Sequence, residues 1–166
     1  GFVGRLEPVK NISLILKSIK ILKEKEICFN LHIYGKGTLK EKLVSLVKKY
    51  DIEDQVYFEG FVNDKNKIYK NIDIFIISSH EEGLSNSLLE AMAFGIPIIA
   101  SNVVGNNDVI ENKKNGLLFE SNNYISKLFG KFRVDKALRS ILIKKESNLI
   151  SQKKIEKMID DVVGVR

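Results

Sequence analysis

The segment DIFIIS, Asp73 to Ser78, constrains the fold more than any other stretch. Four apolar residues, Ile74 to Ile77, follow one another without alternation. Such a strand is buried on both faces, which requires a parallel sheet covered by helices on each side. IPIIA, Ile96 to Ala100, makes the same demand. The chain has 166 residues, 44% of them hydrophobic, enough for one domain with a substantial core.

Around these runs, helix and strand patterns alternate. Ile12, Ile15, Leu16, Ile19 and Leu22 fall at helical spacing, predicting an amphipathic helix from Lys10 to Lys25. FNLHIY, Phe29 to Tyr34, reads as a strand and leads into a turn at Gly35, Lys36 and Gly37. Leu39, Leu43, Leu46 and Val47 mark a second helix, and VYFE, Val56 to Glu59, a short strand stopped by Gly60. Asn63 or Asp64 caps a short helix reaching Lys70. Ser87 to Phe94 is helical, with Gly95 as its stop and Pro97 beyond. GLLF, Gly116 to Phe119, is a last strand, and 123–166 reads as a lysine-rich helical part. The expected fold is α/β: a Rossmann-like, doubly wound parallel sheet of about six strands with helices on both faces. It forms one domain over 1–166. Ligands of such folds bind beyond the carboxyl ends of the strands. Arg5, Gly35, Phe61 and the loop before Ser87 all follow strands and belong on that edge.

Composition removes some classes. No apolar run reaches the roughly 18 residues of a membrane span. Cys28 has no partner for an internal disulfide and, in an apolar run, reads as buried core. The net charge of +6 fits a phosphorylated ligand, nucleic acid or an anionic membrane surface. Its lysines are spread along helices without interleaved aromatics, which reads as a solvated face.

The chemistry concentrates in SSHEEGLSNSLLEAMAFG, Ser78 to Gly95. Glu82 and Glu90 are eight residues apart, about 12 Å if helical throughout. Glycosidase carboxylate pairs sit about 5 to 9.5 Å apart. The spacing favours two grips on one extended ligand over a shared acid/base pair. Taken alone, Glu90 equally reads as decoration of a helix face. Between them Gly83, Leu84, Ser85, Asn86 and Ser87 feed a helix start, where free N–H groups and the helix dipole attract anions. Arg5 and Lys10 at the first strand-to-helix turn suit a diphosphate, or are ordinary surface cations. There is no GK[ST] ending, no GxGxxG opening the first helix and no GxSxG elbow. One histidine beside Glu81 and Glu82, His80, makes no metal site, and His32 sits within a strand.

With these residues in place, the chain resembles the carboxy-terminal, donor-binding domain of retaining GT-B glycosyltransferases of family 4, the glycosyl transferases group 1 type. The matching pieces are GRLEPVKN (Gly4 to Asn11), IYGKG (Ile33 to Gly37), VYFEGFV (Val56 to Val62), DIFIISSHEEGLSNSLLEAMAFGIPIIAS (Asp73 to Ser101) and GNNDVIENKKNGLLF (Gly105 to Phe119). The resemblance implies a half GT-B fold and transfer of a sugar from a UDP- or GDP-sugar to a glycan or lipid-linked acceptor, with retained configuration. It implies that Arg5 and Lys10 hold the diphosphate, Glu82 a sugar hydroxyl, and Glu90 the ribose. The 84–87 amides would meet sugar and phosphate, and Gly60, Phe61 and Val62 would flank the base beside Gly35. No metal or other cofactor is implied, because helix dipole and cations take that role. It also implies a cytoplasmic protein, peripheral at the inner face of the membrane, with an amino-terminal acceptor domain outside this chain. By itself the chain should then transfer little or nothing. Two departures stand out. The family's paired glycines and glutamate become VVGNND, Val103 to Asp108, keeping Gly105, and the glycine usual two residues after Gly83 is Ser85. An interaction module on the same fold and a basic nucleic-acid binder are the competing readings; the first would not need Arg5, Lys10, Glu82 and Glu90 together.

Overall fold

The computed structural model describes residues 1–27 and 29–120. Cys28, the expected helical part over 123–166 and its contact with a membrane surface lie outside the described residues.

The strands are β1 (Phe2–Val3), β2 (Leu31–Tyr34), β3 (Val56–Gly60), β4 (Phe75–Ile77), β5 (Ile98–Ser101) and β6 (Leu117–Phe119). The helices are α1 (Ile12–Glu24), α2 (Lys40–Lys49), α3 (Lys65–Tyr69) and α4 (Asn86–Ala93). The strands form two parallel ladders, β1-β2-β3 and β4-β5-β6. Gly1 joins them: its nitrogen donates to the Ile74 carbonyl at 2.6 Å, and its carbonyl accepts from Ile76 N–H at 2.9 Å. The spatial order is therefore 3-2-1-4-5-6, with the winding reversing between β1 and β4. That reversal is where this architecture opens a crevice at the carboxyl edge.

The unbroken apolar strands behave as their composition requires. Phe75, Ile76 and Ile77 are all buried, as are Ile98, Ile99 and Ala100. Side chains alternate between two cores because successive residues of a strand point to opposite faces. Phe2, Ile33, Ile76 and Ile99 pack with Ile12, Ile15, Leu16, Ile19 and Leu43 from α1 and α2. Tyr34, Phe75, Ile77 and Ile98 pack with Ile68, Tyr69, Leu88, Leu89 and Met92 from α3 and α4. Each fully buried side chain of this size stabilises by about 1.5–3 kcal/mol.

Helix ends differ from the expectation. Lys10 lies in a 3-10 turn, Pro8–Lys10, and Asn11 takes left-handed geometry (φ 48°) before α1 begins at Ile12. Pro8 presets the turn and Asn tolerates the left-handed region, so the loop reorients before the helix. At the far ends of α1 and α2, Glu26 and Asp51 take the left-handed position usually given to glycine. Ile27 and Ile52 then fold back, donating to Leu22 and Val47 carbonyls at 2.9 and 3.2 Å. Those folded-back bonds form Schellman ends without glycine, which composition alone does not signal. Asp64 caps α3 as expected, accepting from Lys67 N–H at 3.2 Å.

Candidate functional site

The loops after β1, β2, β3 and β4 are bonded into one surface at the crevice. Gly4 N–H donates to Tyr34, Leu6 N–H to Lys36 and Gly35 N–H to Gly60 carbonyl oxygens, at 3.0, 2.9 and 2.7 Å. These close approaches explain the GKG turn. A Cβ on Gly35 would sit 1.9 Å from Gly4 O, and one on Gly37 would sit 2.5 Å from Leu6 O. Both glycines allow the first loop to lie across the second. Glu7 reinforces the crossing by accepting from Thr38 N–H and Oγ1 at 3.0 and 2.7 Å. Those bonds hold the Glu7 carboxyl below its ordinary pKa.

Across the switch point, the loop after β4 is tied to the loop after β1. His80 N–H donates to the Val9 carbonyl at 2.8 Å. Ser78 Oγ is in hydrogen-bond contact with the carbonyls of Lys10 (2.9 Å) and Asn11 (3.0 Å). Lys10 is thereby fixed, and its ammonium donates to Glu82 Oε1. Ser79 Oγ donates to the same oxygen at 2.7 Å. The Lys10 and Glu82 side chains are only 16% and 8% exposed, so this pair is largely withdrawn from water. Two ions at the mouth of a cleft with low exposure interact more strongly than a surface pair. Behind Ser79 lies a buried relay: Ser101 Oγ donates to Ser79 O (2.7 Å), and Asn106 Nδ2 donates to Ser101 O (3.1 Å).

Gly83 to Ser85 lead into α4, whose first residue is Asn86. Among the described residues, the N–H groups of Leu84, Asn86 and Ser87 donate to no acceptor. They form a small donor cluster at the positive end of a helix. Ser85 occupies the cap position, but its Oγ pairs with Ser87 Oγ (3.2 Å) and leaves the amides uncovered. On the α4 side, Glu90 Oε2 accepts from Tyr69 OH at 2.8 Å and Oε1 pairs with Lys65 Nζ at 2.9 Å. Burial, with the Glu90 charge beside it, drives the Tyr69 hydroxyl well above the usual tyrosine pKa.

Only Asn86 to Glu90 of the Glu82 to Glu90 stretch is helical, so the 12 Å estimate does not describe it. Glu82 is engaged by Lys10 and Ser79, Glu90 by Tyr69 and Lys65, and the two share none.

Arg5 is exposed at the end of β1 and forms no hydrogen bond or ion pair with the described residues. Phe61, after β3, is 67% exposed with Lys36 Nζ 5.9 Å from its ring centre. Val62 beside it packs against the second core. Gly60 has φ 72° and open space where a Cβ would point.

The sequence-predicted residues thus lie at the carboxyl end of β3, in the turns and loops after the strands, or on α4. The difference from expectation is that Lys10 and Glu82 bond to each other. Residues that sequence reasoning passed over include Ser79, Ser101, Asn106, Lys65 and Tyr69. Ser79 with Ser101, and Lys65 and Tyr69 with Glu90, pair across distant parts of the chain, and Asn106 joins through Ser101, so only the folded contacts single them out. Gly105 is also sharper than expected. With φ 87°, its Cβ would fall 1.7 Å from Gly83 O, and Asp108 Oδ2 accepts its N–H at 3.1 Å. The one glycine retained in VVGNND is the one against which the Glu82–Gly83 loop rests.

Fold and cleft together define a class: a doubly wound α/β domain of GT-B type with a charged crevice at its switch point. The chain belongs to the Glycosyl transferases group 1 family, whose model matches residues 1–155. It is 36% identical over 166 residues to an uncharacterized glycosyltransferase of Haemophilus influenzae, covering 98% of this chain and 47% of that protein. It is 30% identical over 165 residues to the Escherichia coli UDP-Gal:alpha-D-GlcNAc-diphosphoundecaprenol alpha-1,3-galactosyltransferase, covering 96% of this chain and 43% of that protein. A crystal structure of a mutant of S. aureus TarM in complex with fondaparinux, alpha-GlcNAc-glycerol and UDP superposes with a TM-score of 0.80 at 25% identity, covering 99% of this chain and 34% of that one. The chain thus spans less than half the length of these relatives.

Proposed function

We propose that this chain is the donor-binding, carboxy-terminal half of a retaining family 4 glycosyltransferase that uses a UDP- or GDP-sugar. The observation that carries this reading is the open amino end of α4, preceded in the chain by Glu82 and followed within the helix by Glu90. A nucleotide sugar has the matching order: sugar, diphosphate, ribose, base. In this reading Glu82 accepts a sugar hydroxyl and the 84–87 amides meet sugar and phosphate oxygens. Arg5 and Lys10 offset charge on the diphosphate as the bond from its oxygen to the anomeric carbon breaks. Lys10 then serves two acceptors, Glu82 and a phosphate oxygen, which its three N–H donors allow. Glu90 accepts from the ribose hydroxyls, and Gly60 to Val62 flank the base with Gly35 nearby. Helix dipole and cations stand where other transferases place a metal. The family match and the UDP-Gal named for the E. coli relative support a nucleotide-sugar donor. Acceptor binding belongs to an amino-terminal domain outside this chain, and the acceptor is a glycan or lipid-linked sugar at the cytoplasmic face of the membrane. A basic carboxy-terminal segment against anionic lipid fits that place.

The test is a binding panel of UDP, GDP and ADP and their common sugar conjugates, read by thermal shift and calorimetry. One uridine or guanosine diphosphate should raise the melting temperature, and Glu90→Ala should weaken that response. A folded chain that ignores every nucleotide in the panel refutes the proposal.

A further inference from the structure

Glu90 has a neighbour whose position needs explanation. Tyr69 is 2% exposed and lies between the rings of Phe75 and Phe94, with centroids 6.4 and 5.1 Å away. Its ring therefore cannot swing freely. From that fixed ring the hydroxyl reaches Glu90 Oε2 at 2.8 Å, with a second, longer contact of 3.3 Å to the Ser87 carbonyl. The hydroxyl has one proton, and the shorter contact, to the charged acceptor, takes it. The other Glu90 oxygen meets Lys65, whose side chain is 60% exposed. One partner is locked in the core and the other is a flexible surface cation.

We propose that Tyr69 is a positioning residue for nucleoside recognition: it fixes the rotamer of Glu90 so that the carboxylate meets a vicinal diol, while Lys65 yields its place to the ligand. This rests on the reading of Glu90 as the ribose-binding carboxylate. A carboxylate offers about four lone-pair sites over two oxygens. Tyr69 uses one on Oε2, which leaves a free site on Oε2 and, once Lys65 moves, both sites on Oε1. Two adjacent hydroxyls need one site on each oxygen with the carboxylate plane held still. Without the Tyr69 proton, Glu90 keeps only its exposed Lys65 contact and rotates. The ligand class selected is a ribonucleoside diphosphate with both the 2′ and 3′ hydroxyls.

The chain is titrated with UDP and GDP, and the tighter of the two is compared with its 2′-deoxy counterpart. Wild type should prefer the ribonucleotide by about tenfold or more, as expected for one lost hydrogen bond to a charged acceptor. Tyr69→Phe keeps the ring packing and should lose most of that preference. The double variant with Glu90→Gln should bind no worse than Glu90→Gln alone. If Tyr69→Phe binds and discriminates like wild type while Glu90→Gln is weakened, the inference about Tyr69 is wrong and the reading of the site stands. If Glu90→Gln itself changes nothing, the ribose reading fails and takes the inference with it. Should Tyr69→Phe not fold, Cζ labelling of the five tyrosines in the wild-type chain decides the matter. One signal should move on nucleotide addition and stay still in Glu90→Gln, and no such signal overturns the proposal.

Discussion

Gly105→Ala is the most direct test of how the crevice is built. The backbone at Gly105 has φ 87°, and the added Cβ would lie 1.7 Å from Gly83 O, 2.7 Å from Gly83 C and 2.8 Å from Glu82 O. An ordinary contact begins at 3.4 Å, so the two backbones must separate by about 1.7 Å. The left-handed conformation costs an L-residue about 1–2 kcal/mol before any clash. The moving segment carries Glu82, which Lys10 and Ser79 hold, so separation also strains those bonds. A total of about 2 kcal/mol or more is expected, lowering the melting temperature by roughly 4–8 °C for a chain of this size. Two glycines isolate the cause. Gly60 shares a positive φ (72°) but has nothing within 4 Å of its Cβ direction, so Gly60→Ala reports the conformational cost alone. Gly83, on the other side of the contact, also has open space at its Cβ, and Gly83→Ala should melt near wild type. Calorimetric melting of the three variants, with titration by UDP and a UDP-sugar, gives both readouts. Under the proposed function, Gly105→Ala should keep UDP binding, assigned there to Glu90, and lose the added affinity of the sugar conjugate. A Gly105→Ala protein that melts with Gly60→Ala would refute the claim that the 82–83 backbone rests on Gly105.

Other outcomes follow from the same contacts. Ser79→Ala removes one of the two donors to Glu82 and should reduce affinity for the sugar conjugate by roughly three- to tenfold, with UDP alone unchanged, as calorimetry can show. Glu7 has its pKa lowered by Thr38, so its contribution is present above about pH 4.5, its ordinary value, and is lost as pH falls below that. Glu7→Gln should therefore flatten the acid limb of a stability-against-pH curve. Tyr69 has its pKa raised, so its contribution is intact below about pH 10 and is lost as pH rises further, because the unfolded chain releases the proton first. Tyr69→Phe should make alkaline unfolding less steep. Ile99→Ala, at a fully buried site on β5, should cost about 2–5 kcal/mol in denaturant unfolding.

What the sequence determined by itself was the architecture and the edge on which the candidate residues gather. Runs such as Ile74 to Ile77 have no polar face to expose, so the two-sided sheet was readable without coordinates. Asp64, as a cap, and α1, as a periodic helix, were legible because they depend on neighbours a few residues away. The left-handed ends at Glu26 and Asp51 were not, because the usual sequence mark of such an end is glycine and here Glu and Asp take that position. The tertiary structure alone decided how the site's charges are paired. Lys10 and Glu82 are 72 residues apart in the chain, and Tyr69 and Glu90 are 21 apart. They meet because winding reverses between β1 and β4 and because α3 packs beside α4. Spacing along the chain placed two carboxylates near one helix start. Folding gave each its own donors, and geometry of that kind arises only when distant strands are brought to one edge.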